Sequence, residues 1–311
     1  MILSFDIGGT KIAVGLVKNN RVLSYQKILW RKPLTKQKIL NKIIKIIENY
    51  SPASPCEARQ AGKSKIENFK AIALGMAGQV NFQEGSVILS SNLSEKREKV
   101  YLKKILEKKF NLPVFLDNDT NYFTFGEVVF GQGKKENFVV GLTIGTGIGG
   151  GLVVNQKILR GKDGFAGEFG HMVLEVGGRK CLCGKKGCLE TYASGRAMEE
   201  LYFEITDQKK NTFQIKKEFT QKKPEAIYVV NETARWLAIG IANLINILNP
   251  NLIVLGGGMT GFQSFIKIAL KNIKPWLLVP ETKTKILVSR LREKAGILGA
   301  ALLANNYDSL S

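Results

Sequence analysis

The chain has 311 residues, 44% of them hydrophobic and 23% charged, with 46 Lys and Arg against 26 Asp and Glu for a net charge of +20. That composition supplies enough apolar side chains for sizeable cores, excludes wholesale disorder, and at this length suits one large or two medium domains. No run approaches the roughly 18 apolar residues of a membrane span, and Asp6 breaks the only early apolar run before a signal peptide could form, so a cytoplasmic protein without membrane partners is expected.

In chain order, Ile2 to Phe5 reads as a short strand, Gly8 and Gly9 as a turn, and Ile12 to Val17 as a second strand. Apolar residues at 39, 40, 43, 44, 46 and 47 repeat with a helical period over Thr35 to Tyr50, with Thr35 as N-cap. Ser51 to Lys65 reads as a surface loop, Ala71 to Leu74 as a strand, and Val100 to Lys109 as a basic helix. Val114 to Leu116 is a buried strand that delivers Asp117, Asn118 and Asp119 to its carboxyl end, where open sheets place ligands, ahead of a helix over Thr120 to Phe130. Phe138 to Thr143, the turn Gly145-Thr146-Gly147 and a strand through Gly151, Leu152 and Val153 repeat the pattern of the first seventeen residues. Two such units about 140 residues apart predict two lobes of similar construction facing one another across a cleft. A helix over Asn231 to Leu248, a strand over Leu252 to Leu255, a turn at Gly256 to Gly258 and a helix over Phe262 to Leu270 complete an α/β alternation.

Glycine turns at strand ends let backbone N–H groups approach phosphate oxygens, because no Cβ stands in the way. Asp6-Ile7-Gly8-Gly9-Thr10-Lys11 and Gly145-Thr146-Gly147-Ile148-Gly149-Gly150-Gly151 both have this form, and neither is a Walker loop or a dinucleotide fingerprint, since both run into strands. Asp6, at the end of the first strand, suits a carboxylate that holds Mg²⁺ beside a phosphate. Asp119 follows an apolar strand and suits a base that accepts a hydroxyl proton; capping the next helix is the alternative, and the two roles are compatible. His171, the only histidine, is followed by Cys181, Cys183 and Cys188, a closed Cys₃His set of the kind that holds structural zinc, with Gly184 and Gly187 easing the turns. A loop clamped in this way would fix Glu168 and Glu190 as acceptors for the hydroxyls of a polyol. Cys56 is left unpartnered. The +20 charge would attract polyanions, but the lysines are spread along amphipathic helices (Lys36, Lys38, Lys42 and Lys45, then Lys103, Lys104, Lys108 and Lys109) without the interleaved aromatics of a single-strand groove, so nucleic acid is not an expected partner.

Over nearly its whole length the sequence resembles the ROK family of sugar kinases, within the actin-like ATPase superfamily. Asp6 to Lys11 resembles the first phosphate motif, Gly145 to Gly151 the second, Gly256-Gly257-Gly258 the adenosine-side motif, and Asn118-Asp119 the catalytic pair. Gly167-Glu168-Phe169-Gly170-His171, with Cys181 to Glu190, resembles the family signature and its zinc loop. The resemblance implies two actin-like (ribonuclease H-like) lobes, 1–117 with 297–311 and 118–296, the second carrying the zinc loop at 171–190. It also implies ATP, Mg²⁺ and structural Zn²⁺ as cofactors, a hexose as substrate, and a homodimer. Asp119 would be the general base. Asn118, Glu168, His171 and Glu190 would orient the sugar, Gly78 with Ser91 or Asn92 would line the same pocket, and His171 would ligate zinc through one nitrogen while presenting the other to a sugar hydroxyl.

The expected activity is glucokinase-like, directed at the 6-hydroxyl, with fructose, N-acetylmannosamine or N-acetylglucosamine as other acceptors and polyphosphate as another donor. A sugar-responsive regulator is the alternative of another class, and it is disfavoured because Asp6 falls so near residue 1 that no helix-turn-helix fits before it. Departures from the family pattern stand at Ala77 (usually Pro), Asn81 (usually Asp) and Thr120 (usually Ala).

Overall fold

The computed structural model describes residues 1–9, 11–29, 35–50, 68–89 and 98–305. Thr10, Ser91, Asn92, Cys56 and the expected loop at 51–65 lie outside the described residues. In chain order the elements are β1 (Ile2–Ile7), β2 (Lys11–Lys18), β3 (Arg21–Leu29), α1 (Lys36–Glu48), β4 (Ala71–Met76), β5 (Gly78–Asn81), β6 (Ser86–Leu89) and β7 (Lys99–Val100). Then follow α2 (Leu102–Phe110), β8 (Val114–Asn118), α3 (Asp119–Phe130), β9 (Phe138–Ile144), β10 (Ile148–Val154) and β11 (Lys157–Ile158). The remainder is α4 (Glu190–Ala193), α5 (Gly195–Thr206), α6 (Thr212–Thr220), α7 (Pro224–Leu248), β12 (Leu252–Gly256), α8 (Gln263–Lys271), β13 (Lys285–Val288) and α9 (Lys294–Asn305). They gather into two compact units, one of residues 1–137, 151–166 and 290–311, the other of 138–150 and 167–289.

In the first unit the strand order is β3-β2-β1-β4-β8, antiparallel from β3 to β1 and parallel from β1 to β8. The two-residue period of the strands divides the sheet into unlike faces. Leu3, Phe5 and Ile7 of β1, with Ile12, Val14 and Leu16 of β2, point to a face filled by Ile39, Ile43 and Ile47 of α1 and by Leu102 and Leu106 of α2. Thr35 caps α1 by accepting from the Lys38 N–H, as its sequence position suggests. The opposite face carries small residues, Ala13, Ala71 and Ala73, and packs against Ile297, Ala300 and Ala301 of α9 and Tyr122 of α3. Small side chains let those helices lie close. At Gly126 of α3 a Cβ would stand 2.0 Å from the Ala295 carbonyl, so helix-to-helix contact there requires glycine. Asp6 belongs to this small-residue face, which is why its carboxylate ends up beside helices rather than in the aliphatic layer.

In the second unit β12 runs parallel to both β9 and β13. The sheet that contains these three strands has the order β11-β10-β9-β12-β13, which repeats the order of the first sheet, so the duplication expected from the two glycine turns is present in the topology. Helix α7 begins at Pro224, seven residues earlier than its periodicity suggests, with proline at its first turn and Asn249 closing it in the left-handed conformation at φ 43°. No helix among the described residues is long and apolar enough to cross a membrane.

Candidate active site

Parallel register lines up Asp6, Gly75 and Asp117 across β1, β4 and β8 in one row, and Ile7, Met76 and Asn118 in the next. The chain leaves β8 directly into α3. Asn118 is the N-cap, its side-chain oxygen accepting from the Thr120 and Asn121 N–H groups, so Asp119 is the first helical residue rather than the cap. A Cβ on Gly75 would lie 3.3 Å from the Asp119 Cα, so glycine at 75 lets the start of α3 settle onto the strand ends. Asn118 also donates through Nδ2 to the Gly78 carbonyl at 3.1 Å, which brings two of the expected sugar-pocket residues together.

Beneath this pair lies an ion pair, Asp117 with Arg160, that sequence reasoning missed. Asp117, 2% exposed, accepts at Oδ1 from the Asn118 N–H (2.8 Å) and from Asn121 Nδ2 (2.8 Å), and at Oδ2 from Arg160 Nε at 2.7 Å. The Arg160 guanidinium in turn sits 4.5 Å over the Phe82 ring. A buried carboxylate with several charge-assisted bonds makes a rigid floor under Asn118 and Asp119.

Asp119 and Asp6 share a desolvated corner. Burial pushes the Asp6 carboxyl well above the ordinary carboxylate range, and the neighbouring Asp119 charge adds to the rise while Lys11 opposes it. Burial raises Asp119 as well, partly offset by the backbone and side-chain hydrogen bonds that Thr120 donates. Both bonds go to Oδ1, the N–H at 2.8 Å and the hydroxyl at 3.3 Å. Two acids packed together in this way form a proton acceptor poised above the usual carboxylate range and a strong attraction for a cation.

Around the first glycine turn the Gly8 N–H donates to the Lys11 carbonyl at 3.0 Å. The Ala77 N–H donates to the Ile7 carbonyl at 2.9 Å, a bond that the proline usual at position 77 could not make. Lys11, expected at the phosphate, forms an ion pair with Glu293, which also receives Lys27 and the Tyr25 hydroxyl. Burial works against the Glu293 carboxylate, but those donors outweigh it and hold the group down to about 2. Asn81, another departure from the family pattern, caps the β5–β6 turn by accepting from the Glu84 N–H at 3.1 Å. Thr120, the third departure, contributes the hydroxyl on Asp119.

In the second unit the Gly145 turn closes through a bond from its N–H to the Gly147 carbonyl (2.9 Å), and the Gly145 carbonyl accepts from the Gly195 N–H at the start of α5 (2.7 Å). Gly257, at φ 84°, approaches the end of β9 so closely that a Cβ would stand 2.3 Å from the Ile144 carbonyl, so the turn at 256–258 sits against the turn at 145–147. The two expected nucleotide motifs of this unit are thus neighbours, with a helix N-terminus beside them. The signature segment lies against the start of β10, since a Cβ on Gly170 would come within 2.1 Å of the Ile148 carbonyl.

His171, Cys181, Cys183 and Cys188 converge, their ligand atoms all within 4.8 Å of one another. The Cys183 and Cys188 sulfurs are 3.7 Å apart, and Cys181 Sγ is 3.6 Å from His171 Nδ1. Four ligands at about 2.0–2.3 Å around a tetrahedral ion have edges of about 3.5–3.8 Å, a spacing that these two pairs match, and the donor set suits zinc in its chemistry. The other nitrogen, Nε2, faces Glu168 Oε2 at 3.7 Å. Gly187 turns at φ 79° where a Cβ would strike the Glu175 carbonyl at 1.7 Å, and this lets the loop double back to Cys188. Tyr192 pins it further, donating to Glu175 at 2.5 Å and accepting from the Arg179 N–H at 2.7 Å.

The family model that describes the ROK family matches residues 2–307. The chain belongs to the ROK family. It is 32% identical to a glucokinase of Streptomyces coelicolor, with 100% of this chain and 99% of that one covered. It is 31% identical to an N-acetyl-D-glucosamine kinase of Vibrio atlanticus, over 97% and 99%. A putative xylose repressor of Caldicellulosiruptor is 30% identical, over 97% of this chain and 77% of that protein. Among solved structures, the ROK glucokinase of Streptomyces griseus in complex with glucose and AMPPNP superposes with a TM-score of 0.83 at 31% identity, over 98% and 99% of the two chains. The fold is therefore the actin-like ATPase fold of the ROK kinases.

Proposed function

We propose that the protein is an ATP-dependent hexokinase, glucokinase-like, which transfers the terminal phosphoryl group of ATP to a hexose hydroxyl, the 6-hydroxyl above all. The observation that carries the reading is Asp119: a desolvated carboxyl at the carboxyl end of a sheet, its Oδ1 held by Thr120 and its basicity raised above the usual range.

In phosphoryl transfer the protein has little covalent work, so positioning and charge stabilisation dominate. Asp119 Oδ2 accepts the proton of the attacking hydroxyl as the new P–O bond forms and ADP departs. Gly8 and Gly9, with Gly145, Thr146 and Gly147, bring backbone amides to the phosphates, and the Gly256–Gly258 turn takes the adenosine side. Asp6 is the residue that would hold Mg²⁺, which when bound neutralises phosphate charge. The Cys₃His set would hold zinc as a structural clamp, fixing Glu168, His171 and Glu190 to orient the sugar. Both glucose and an N-acetylhexosamine are acceptors of relatives about 30% identical, so the test spans both. A coupled ADP-release assay over glucose, fructose, mannose, N-acetylglucosamine and N-acetylmannosamine should show sugar-dependent turnover with ATP. Turnover with none of them, or specific DNA binding in its place, would sink the proposal.

A further inference from the structure

Glu190 sits between the cysteine loop and the Gly145-Thr146-Gly147 turn. It opens α4 two residues after Cys188, is 4% exposed, and divides its carboxylate between two donors. Oε2 accepts from the Ile148 N–H at 2.9 Å, immediately beyond the Gly145-Thr146-Gly147 turn. Oε1 accepts from Arg196 Nη2 at 3.0 Å. Arg196 lies in the first turn of α5, and the residue before it, Gly195, donates its N–H to the Gly145 carbonyl at 2.7 Å. The connections close a ring: glycine turn to α5, α5 to Arg196, Arg196 to Glu190, and Glu190 back to the glycine turn. Each carboxylate oxygen still has a lone pair for a further donor.

We propose that this ring couples the sugar and nucleotide sites, with Arg196 as the positioning residue that holds Glu190 in line with both. The inference rests on the sugar-kinase reading given above. A hexose hydroxyl donated to Glu190 and a phosphate received by the glycine turn each bind best when the carboxylate is aligned on the Ile148 N–H, so either ligand favours the arrangement the other requires. By linkage the effect is reciprocal. Arg196 touches neither ligand in this scheme. Its guanidinium fixes the rotamer of Glu190, and its backbone travels with the glycine turn through Gly195.

The test uses the zinc-loaded full chain and isothermal titration with Mg²⁺-AMPPNP, in the absence and presence of saturating concentrations of the hexose that gives turnover in the ADP-release panel. In the wild type the hexose should tighten AMPPNP binding about 5-fold or more, within the usual span of coupling between sites. Arg196→Met should bring the ratio to within about 2-fold with zinc content unchanged, and Arg196→Lys should recover part of it, whereas a purely structural role would weaken both ligands without altering the ratio. Should Arg196→Met lose zinc or cooperative melting, Arg196→Gln, which keeps a donor, serves in its place. An unchanged ratio in an Arg196 variant, or a wild type whose nucleotide affinity ignores the sugar, overturns the inference while leaving the kinase intact. Absence of any sugar-dependent turnover overturns the kinase reading and this inference with it.

Discussion

Asp119→Asn separates what the carboxylate does for chemistry from what it costs the fold. Asparagine keeps the shape and the oxygen that receives the Thr120 N–H at 2.8 Å, so the start of α3 should be undisturbed. It removes the proton acceptor. General base catalysis contributes about 10²–10⁴-fold, so kcat should fall by that factor, corresponding to about 3–5 kcal/mol of barrier, with the sugar KM held within about an order of magnitude.

Stability should move the opposite way. Burial and the Asp6 neighbour disfavour the ionised corner, so the folded protein carries a penalty whenever the carboxyl is charged. For an acid whose folded pKa is raised, that penalty is absent below the unfolded pKa, grows as pH rises through the interval between the two values, and is complete above the folded one. A tenfold difference in proton affinity between the folded and unfolded chain is worth about 1.4 kcal/mol, and with discount for the partial exposure of the group the variant should gain on the order of 1–2 kcal/mol at pH 8 and only a small part of that at pH 4. Steady-state kinetics with Mg²⁺-ATP, beside urea denaturation of the zinc-loaded chain at the two pH values without Mg²⁺ or nucleotide, reads both effects. A variant that turns over normally would refute the base assignment. One that is less stable at pH 8 than the wild type would refute the account of the acidic corner.

Three further outcomes follow from the same geometry. Arg160→Met leaves the nearly inaccessible Asp117 carboxylate without its cation and should cost about 3–5 kcal/mol, most of which Asp117→Asn in the same chain should restore; equal stability of the single and double variants, measured by chemical denaturation, would contradict the pairing. Thr120→Val removes the hydroxyl that stabilises ionised Asp119, so the acid limb of kcat/KM should shift to higher pH, while Thr120→Ser keeps it in place; identical profiles would show that the 3.3 Å contact does not act on the base. Cys181→Ser should lose zinc in metal analysis and raise the sugar KM by loosening Glu168 and Glu190, whereas a fully active wild type without bound zinc would rule out that role.

The architecture is legible wherever the signal is local. The glycine turns, the Thr35 cap and the apolar run ending at Asn118-Asp119 each rest on a few adjacent residues, and the duplicated strand order follows from their repetition. Histidine and three cysteines can be grouped because a closed ligand set is recognisable without knowing the path of the chain. What stays hidden depends on distance along the sequence. Arg160 meets Asp117 across 43 residues and Glu293 meets Lys11 across 282, with no pattern in either neighbourhood to announce it. Lys11 shows what a motif alone leaves out, since its ammonium pairs with a carboxylate from the far end of the chain. Position 77 shows a gain in the other direction: alanine there looks like a loss of the family's proline, yet it supplies the N–H bonded to Ile7. The start of α7 lies seven residues ahead of its expected place, at Pro224, which sits in the first turn, where proline is favoured. Helix α6 escapes the sequence reading despite an Asn211–Gln214 capping box, a pattern visible in the sequence.

The most direct measurement is ³¹P NMR of purified protein with Mg²⁺-ATP and one hexose at a time. The account requires that with at least one hexose the γ-phosphate signal gives way to a sugar phosphomonoester and ADP in equal amounts, and that Asp119→Asn slows the conversion by about 10²-fold or more. Release of inorganic phosphate without a sugar ester, or a sugar ester formed equally well by the variant, would contradict it.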